Sequence, residues 1–270
     1  MLIGISGKIG SGKDTVGKII QYLTENKEYD LDHTYKEYLD DLKVDELNNR
    51  AILLYKDFHI KKFADKLKDI VCILIGCTRE QLEDAEFKNK ELPEEWWYYN
   101  IPNPSFGGLV NYLDNNLSEE DKKICDARYL VKPTPRMLLQ LLGTECGRNI
   151  IHPNVWVNAL MSEYKMSYTQ HPDIDYIESK QYPNWIITDM RFPNELEAVK
   201  RRGGITIRVN RPYTTVVGGN GIPATFNQNQ FHPSETSLDN ANFDYTIENN
   251  STIEDLIHTV SLILKKEKII

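Results

Sequence analysis

The residues with the clearest capacity for chemistry lie at the start of the chain, in the segment Gly7-Lys-Ile-Gly-Ser-Gly-Lys13. The spacing G-x-x-x-x-G-K lets backbone N–H groups surround phosphate oxygens, while the lysine adds a positive charge. An apolar run at 2–5 precedes the segment, and apolar residues at helical spacing follow it, at Val16, Ile19, Ile20 and Leu23. A strand, a glycine-rich loop and a helix in this order predict a phosphate-binding P-loop. The alternative interpretation is a glycine-rich strand-to-helix turn that binds nothing.

The position after Lys13 departs from the usual motif. It holds Asp14, where a Ser or Thr commonly ligates magnesium, and the hydroxyl follows one residue later at Thr15. The segment Gly10-Ser-Gly-Lys-Asp-Thr15 resembles the GSGKGT loop of nucleoside monophosphate kinases, in which the residue after the lysine is also not a hydroxyl. The sequence therefore predicts a site for nucleotide phosphates.

Composition narrows the class of protein. The 270 residues, 40% of them hydrophobic, suit a large α/β domain with a substantial core. A net charge of −8 does not attract the negatively charged backbone of a nucleic acid. We therefore expect small anionic ligands that are bound locally, and no nucleic acid. The apolar run from Ile70 to Ile75 is too short to cross a membrane, and the first residues lack the basic segment of a signal peptide. We therefore expect a cytoplasmic protein, not associated with membranes, whose cysteines are reduced thiols.

Alternating strands and helices organise the rest of the chain. Strands after the first are predicted at 51–55, 185–189, 205–209 and 244–248. Helices are predicted at 63–74, from 78, at 136–148 with an interruption at Gly143-Thr144, from 153, at 193–199 and from 252. This alternation predicts an α/β fold with a mostly parallel sheet covered on both faces.

Three segments interrupt this pattern within what we interpret as a single domain at 1–270. Residues 27–50 are predicted to be a helical surface insertion, and residues 86–132 lack clear periodicity. The aromatic cluster Trp96-Trp97-Tyr98-Tyr99 could stack on bases, although packing of the insertion onto the core is the favoured interpretation. Glycine, Asn and Gln residues at about 212–231 predict a mobile lid.

A second group of candidate residues could neutralise phosphate charge. Asp189 ends an apolar strand, and an acid at that place can hold magnesium or its waters, so Thr15 and Asp189 form a predicted metal pair. Arg136, Arg148 and Arg191 are flanked by apolar residues, unlike the arginines that suit surface ion pairs.

These motifs together resemble the bacteriophage deoxynucleoside monophosphate kinases. The resemblance is carried by the P-loop, by Pro135-Arg-x-x-Leu-Gln-x-x-Gly-Thr-Glu145 with Arg148 and Trp156, by Asp189-Met-Arg-Phe-Pro-Asn-Glu195 and by His232-Pro-Ser-Glu235. It covers 1–25, 58–76, 133–165, 184–211 and 230–264, but neither insertion. It implies a three-layer P-loop NTPase fold with helical insertions and a lid, phage origin, and a place in the host cytoplasm.

The resemblance also implies an activity and residue roles. The γ-phosphoryl of ATP would pass to a (deoxy)nucleoside monophosphate with Mg²⁺ as cofactor, giving a diphosphate and ADP. The implied ATP-binding residues are Gly10, Gly12, Lys13, Asp14, Thr15 and Gly143. The implied monophosphate-binding residues are Arg136, Thr144, Arg148, Trp156 and Glu195. The implied catalytic residues are Lys13, Asp189 and Arg191. Lys8 is the only basic residue inside the loop, since the inner positions are Ile9 and Gly10.

Two other functions fit the same motifs. One is a P-loop kinase for a different phosphorylated acceptor, such as dephospho-coenzyme A or phosphomevalonate. The other is a non-enzymatic nucleotide-binding switch, although a pure switch needs no second phosphate site. The accepted bases, the choice between deoxyribose and ribose, and the oligomeric state are open, and a homodimer is compatible with the sequence.

Overall fold

The computed structural model describes residues 1–29, 34–48, 58–103, 108–113, 129–169, 179–211 and 236–270. The chain forms two compact units, one of Met1–Phe63 with Val157–Ile270 and the other of Ala64–Trp156. The predicted strand at 51–55, the predicted lid and the segment His232–Glu235 lie outside the described residues. The single-domain organisation stays a prediction.

The regular elements follow in chain order. The strands are β1 (Leu2–Ser6), β2 (His59–Lys61), β3 (Tyr98–Asn103), β4 (Gly108–Tyr112), β5 (Leu130–Val131), β6 (Ser167–Thr169), β7 (Ser179–Gln181), β8 (Trp185–Met190), β9 (Ile205–Asn210) and β10 (Tyr245–Glu248). The helices are α1 (Lys13–Tyr29), α2 (Tyr35–Asn48), α3 (Asp65–Ile75), α4 (Arg79–Glu83), α5 (Ala85–Asn89), α6 (Pro135–Gln140), α7 (Val155–Met161), α8 (Pro193–Lys200) and α9 (Ile253–Lys266). A 3₁₀ turn spans Glu94–Trp96, and a π-helix spans Leu141–Ile151.

The first unit is built on a parallel sheet. Among the described residues, five strands lie in the order β10-β9-β1-β8-β2, and each neighbouring pair is parallel. The P-loop strand β1 lies at the centre with all its residues buried. Because parallel strands end at the same edge, the loops after β1, β2, β8, β9 and β10 meet there. The predicted parallel sheet is confirmed.

Helices cover both faces of this sheet. Ile3 and Ile186 belong to a buried cluster with residues of α1 and α9, whereas their neighbours Leu2 and Ile187 belong to another with residues of α7 and α8. Successive strand residues point to opposite faces, so the two clusters are the two sides of one sheet. The result is the predicted three-layer α/β arrangement.

Several helix ends match the sequence signals. Gly76 ends α3 in the left-handed conformation, and the hydroxyls of Thr78 and Thr252 accept the capping bonds of α4 and α9. Helix α2 confirms the helical prediction for part of 27–50. No helix among the described residues is long and apolar enough to span a membrane.

The second unit differs from the sequence prediction in two places. Within 86–132, strands β3, β4 and β5 form an antiparallel sheet in the order β4-β3-β5, where no regular structure was predicted. The expected interruption at Gly143-Thr144 is instead a change of hydrogen-bonding pattern, because α6 passes directly into the π-helix. Trp97 donates its indole N–H to the Leu92 carbonyl oxygen at 2.8 Å, a contact within the insertion, so packing of the aromatic cluster onto the core stays a prediction.

Candidate active site

The P-loop curls around a backbone carbonyl. The Ser11 amide and the Lys13 ammonium both donate to the Lys8 carbonyl oxygen, each at 3.1 Å. Gly10 and Gly12 have φ of 75° and 95°, a backbone conformation that residues other than glycine rarely adopt. Lys13, only 7% exposed, is the first residue of α1 and is held in the loop. The loop therefore has the backbone form and the fixed cation that a phosphate site requires.

The Lys8 side chain forms an ion pair. Its ammonium lies 3.2 Å from Oδ2 of Asp239, and Oδ1 of the same carboxylate accepts a bond from Arg208 at 2.8 Å. An ion pair of this kind competes with any contact between Lys8 and a ligand phosphate.

Asp14 connects the start of α1 to the ends of two strands. Its Oδ1 lies 3.0 Å from the Lys62 ammonium, just after β2, and accepts the Thr188 hydroxyl of β8 at 2.8 Å. Burial by itself raises the pKa of the Asp14 carboxyl, but the charge of Lys62, the Thr188 bond and the charge of Lys13 hold this pKa below its usual value. Asp14 is therefore an anion whose contacts lie within the protein.

We predict that the Asp14–Lys62 pair makes a small contribution to stability that acid removes. Because the folded pKa of Asp14 is lowered, this contribution is present above the unfolded pKa and is lost as pH falls through the folded value. With the Asp14 side chain 59% exposed, the coupling should stay below about 1 kcal/mol. The measurement is a double-mutant cycle of Asp14→Asn and Lys62→Met by urea unfolding, at pH 7 and at successively lower pH. Coupling that does not decline with acidification while the protein stays folded would contradict the prediction.

Asp189 has the place expected of a metal ligand. It follows Thr188 at the carboxyl end of β8, and its Oδ1 accepts the Phe63 backbone N–H at 2.8 Å. Thr15 is half-buried in the first turn of α1, next to Asp14. The bond from the Thr188 hydroxyl to Asp14 connects this turn to the end of β8. Among the described residues, no group of three or more His, Cys, Asp or Glu could enclose a metal. One carboxylate and one hydroxyl suit Mg²⁺, which commonly completes its shell with phosphate oxygens and water.

Glu195 shapes the turn that carries Arg191. Its Oε2 accepts the backbone N–H groups of Arg191 and Phe192 at 2.7 and 3.1 Å, and the side chain is only 2% exposed. These bonds satisfy free amides at the start of α8, in the manner of a helix cap. A monophosphate-binding role for Glu195 stays a prediction, and the contacts give it a positioning role for Arg191.

The second unit holds the remaining predicted ligand residues, Arg136, Gly143, Thr144, Arg148 and Trp156. Arg136 is exposed in the first turn of α6, and its Nε donates to Asn89 Oδ1 at 2.8 Å. Thr144 and Arg148 are half-buried in the π-helix. π-Helical segments are rare and often occur at functional sites.

Trp156 supports the π-helix from inside the second unit. It is 7% exposed, and its indole N–H donates to the Gly143 carbonyl oxygen at 2.8 Å. A Cβ at Gly147 would lie 2.9 Å from the Trp156 ring and 2.4 Å from the Leu142 carbonyl oxygen, so only glycine fits there. Trp156 also packs in a cluster with Leu67. A direct monophosphate contact by Trp156 stays a prediction, while its contacts position the π-helix.

Trp156→Phe is therefore expected to lower the free energy of unfolding by about 2 kcal/mol, through one lost buried hydrogen bond and a smaller ring. The half-buried Trp96 gives a control in the same unit, and Trp96→Phe should cost less than about 1 kcal/mol. Denaturant unfolding followed by circular dichroism measures both. Equal losses would contradict a special role for the Trp156 contacts.

The structure thus groups Gly10, Gly12, Lys13, Asp14, Thr15, Asp189, Arg191 and Glu195 in the first unit. The sequence did not single out three residues that contact the P-loop or Asp14. Lys62 and Thr188 contact Asp14, and the Asn249 side chain donates to the Ser11 carbonyl oxygen. Lys62 belonged to a lysine-rich stretch in which no one residue could be preferred. Glu195 did carry a signal for its capping role, because it is the third residue after Phe192 and follows Pro193.

A family model and two relatives that the chain resembles are all described as deoxynucleotide or deoxynucleoside monophosphate kinases. A family model described as deoxynucleotide monophosphate kinase matches residues 115–260. The chain is 26% identical over 262 residues to a deoxynucleoside-5′-monophosphate kinase of Escherichia phage T5, with 88% of this chain and 85% of the relative covered. It is 30% identical over 199 residues to a protein of Acanthamoeba polyphaga mimivirus provisionally named a deoxynucleotide monophosphate kinase, covering 72% of this chain and 77% of that one.

Proposed function

The chain belongs to the deoxynucleotide monophosphate kinase family, and we propose that it transfers the γ-phosphoryl group of ATP to the phosphate of a deoxynucleoside monophosphate. The observation that carries the proposal is the P-loop, with two left-handed glycines leading into a helix that begins at the buried Lys13. The products are ADP and a deoxynucleoside diphosphate. We also place this reaction in the cytoplasm, that of the host cell if the protein comes from a phage.

In the transfer, a phosphate oxygen of the acceptor forms a bond to the γ-phosphorus as the bond from that phosphorus to the bridging oxygen breaks. The bridging oxygen keeps the electron pair and leaves as part of ADP. The acceptor phosphate is already ionised, so no strong general base is required, and catalysis rests on placement and charge neutralisation. Loop amides and Lys13 would hold the β- and γ-phosphates, and Arg191 would add a cation to the transferred group.

Magnesium suits the hydroxyl of Thr15 and the carboxylate of Asp189. When bound, it would neutralise phosphate charge and fix the phosphate geometry. The bond from the Phe63 N–H to Asp189 fixes one carboxylate oxygen and so orients the other. Asp14, by contrast, would act through Lys62 and Thr188 and would not need to contact the metal.

The acceptor would use the second unit. A guanidinium has five N–H donors in a planar fork. The Nε group of Arg136 donates to Asn89 Oδ1, and the rest of the fork suits bidentate binding of a phosphate. A cavity of about 460 Å³ in the same unit is lined in part by Phe87, Leu92 and Pro135, the last of which precedes Arg136 in the chain. This volume lies within the range of small-molecule pockets, and an apolar wall with an aromatic ring suits a nucleobase. We place the acceptor base there.

The test is ADP release from ATP and Mg²⁺ with each of dTMP, dGMP, dCMP, dAMP and their ribose counterparts. Stimulation by a deoxymonophosphate, with a matching diphosphate in the products, is the expected result. Stimulation only by dephospho-coenzyme A or phosphomevalonate would replace the acceptor. ATP binding without transfer to any acceptor would favour a nucleotide-binding switch. Sedimentation of the same sample determines whether the protein is a homodimer.

A further inference from the structure

Asn249 connects the end of the sheet to the P-loop, although 238 positions in the sequence separate it from Ser11. It directly follows β10, and its Nδ2 donates to the Ser11 carbonyl oxygen at 2.8 Å. Its backbone N–H donates to the Asn210 carbonyl oxygen at 2.7 Å, at the end of β9. The Ser11 carbonyl can only accept, so the chemistry itself assigns the NH₂ group of Asn249 to this contact. A side chain anchored on two strands therefore holds one carbonyl of the loop.

That carbonyl controls the direction of the next amide. The Ser11 C=O and the Gly12 N–H belong to one planar trans peptide, in which the two groups point in opposite directions. When Asn249 holds the oxygen on its own side, the Gly12 N–H must point away from Asn249. An amide aimed in this way is what a P-loop offers to a phosphate oxygen.

The peptide would have little resistance to rotation without this bond. Gly12 has φ of 95°, and glycine populates conformations of either sign of φ at little cost. A rotated peptide would turn the Ser11 carbonyl oxygen toward the phosphates, where two negative atoms repel. Asn249 also lies very close to Gly12, since a Cβ built on Gly12 would be 2.4 Å from Nδ2. Gly12 allows the Ser11–Gly12 peptide to rotate, and the hydrogen bond from Asn249 restrains this rotation.

We infer that Asn249 is a positioning residue for the donor nucleotide, which locks the Ser11–Gly12 peptide in the orientation that presents the Gly12 N–H to a phosphate. The inference rests on the proposed ATP site. It assigns Asn249 an effect on the triphosphate alone, with no direct contact to the base or to the acceptor.

The experiment compares Asn249→Ala and Asn249→Asp with the exposed neighbour variant Asn250→Ala. Asn249→Ala should weaken ATP–Mg²⁺ binding about tenfold, the equivalent of one hydrogen bond, and leave the KM for the deoxymonophosphate unchanged. Asn249→Asp should bind more weakly still, because a carboxylate cannot donate and would face the Ser11 carbonyl. Inorganic tripolyphosphate should lose affinity by the same factor as ATP. Asn250→Ala should match the wild type.

Three outcomes would overturn the inference: unchanged ATP affinity in both Asn249 variants, equal losses for ATP and the deoxymonophosphate, or a loss for ATP with none for tripolyphosphate. The last would make Asn249 a base contact. Thermal unfolding of each variant shows whether it is folded, and Asn249→Asp preserves the side-chain shape if the alanine variant is unstable. Wild-type protein that binds no ATP would instead defeat the proposed function.

Discussion

Lys13→Ala is expected to lower kcat by about 10³-fold, which corresponds to about 4 kcal/mol of transition-state stabilisation. The ammonium group is held at 3.1 Å from the Lys8 carbonyl, in a residue that is only 7% exposed. A fixed cation in a site with little solvent interacts strongly with charge that develops on phosphate oxygens, and it needs no rearrangement as the reaction proceeds. Steady-state kinetics with saturating ATP and deoxymonophosphate measures the loss.

Two variants separate charge from packing in this prediction. Lys13→Met keeps most of the aliphatic stem and should lose as much activity as Lys13→Ala, because the ammonium is absent in both. Lys18 is an exposed lysine on the same helix, and Lys18→Ala should retain wild-type turnover. Turnover within about threefold of wild type in either Lys13 variant would remove the P-loop lysine from the mechanism.

The local parts of the site could be predicted from the sequence because their signals are local. A strand, two glycines at fixed spacing and an amphipathic helix specify the P-loop within 23 residues, and the structure confirms β1 and α1 at these places. The acid at the end of β8 was predictable for the same reason. In each case the neighbours along the chain determine the backbone conformation.

The contacts that hold the site could not be predicted, because they join distant segments. Asn249 reaches Ser11, and Lys62 reaches Asp14, only after strands β2 and β10 take their places in the sheet. One sequence states which residues are polar, but not which polar residues meet. Asp14 is an example: its place in the motif predicts an ATP contact, which stays a prediction, but its contacts with Lys62 and Thr188 could not be foreseen.

The antiparallel sheet of the second unit was missed for a different reason. Strand β3 reads Tyr98-Tyr-Asn-Ile-Pro-Asn103, with no alternation of apolar and polar residues and with a proline inside it. Both features argue against a strand when sequence alone is considered. Pairing with β4 and β5 on either side supplies the stability that the local pattern does not indicate.

Arg136→Ala is expected to raise the KM for the deoxymonophosphate about 100-fold, or about 2.7 kcal/mol, with ATP affinity unchanged. The side chain is exposed at the start of α6, one residue after Pro135, which lines a cavity of about 460 Å³, and the contact from Nε to Asn89 orients its fork. A bidentate guanidinium–phosphate pair supplies two charge-assisted hydrogen bonds at once. Measurements of the acceptor KM at saturating ATP, and of the ATP dissociation constant in the absence of acceptor, separate the two ligands.

A graded series then tests the geometry of this contact. Arg136→Lys keeps the charge without the planar fork, so its KM should lie between those of the wild type and Arg136→Ala. Asn89→Ala removes the group that orients Nε and should raise KM only a few-fold, because the guanidinium remains. Arg201→Ala, which alters an exposed pair with Glu197 in the first unit, controls for the loss of one positive charge. If Arg136→Ala weakened ATP binding as much as acceptor binding, or if Arg201→Ala reproduced its effect, Arg136 would act through general electrostatics and not as an acceptor-phosphate ligand.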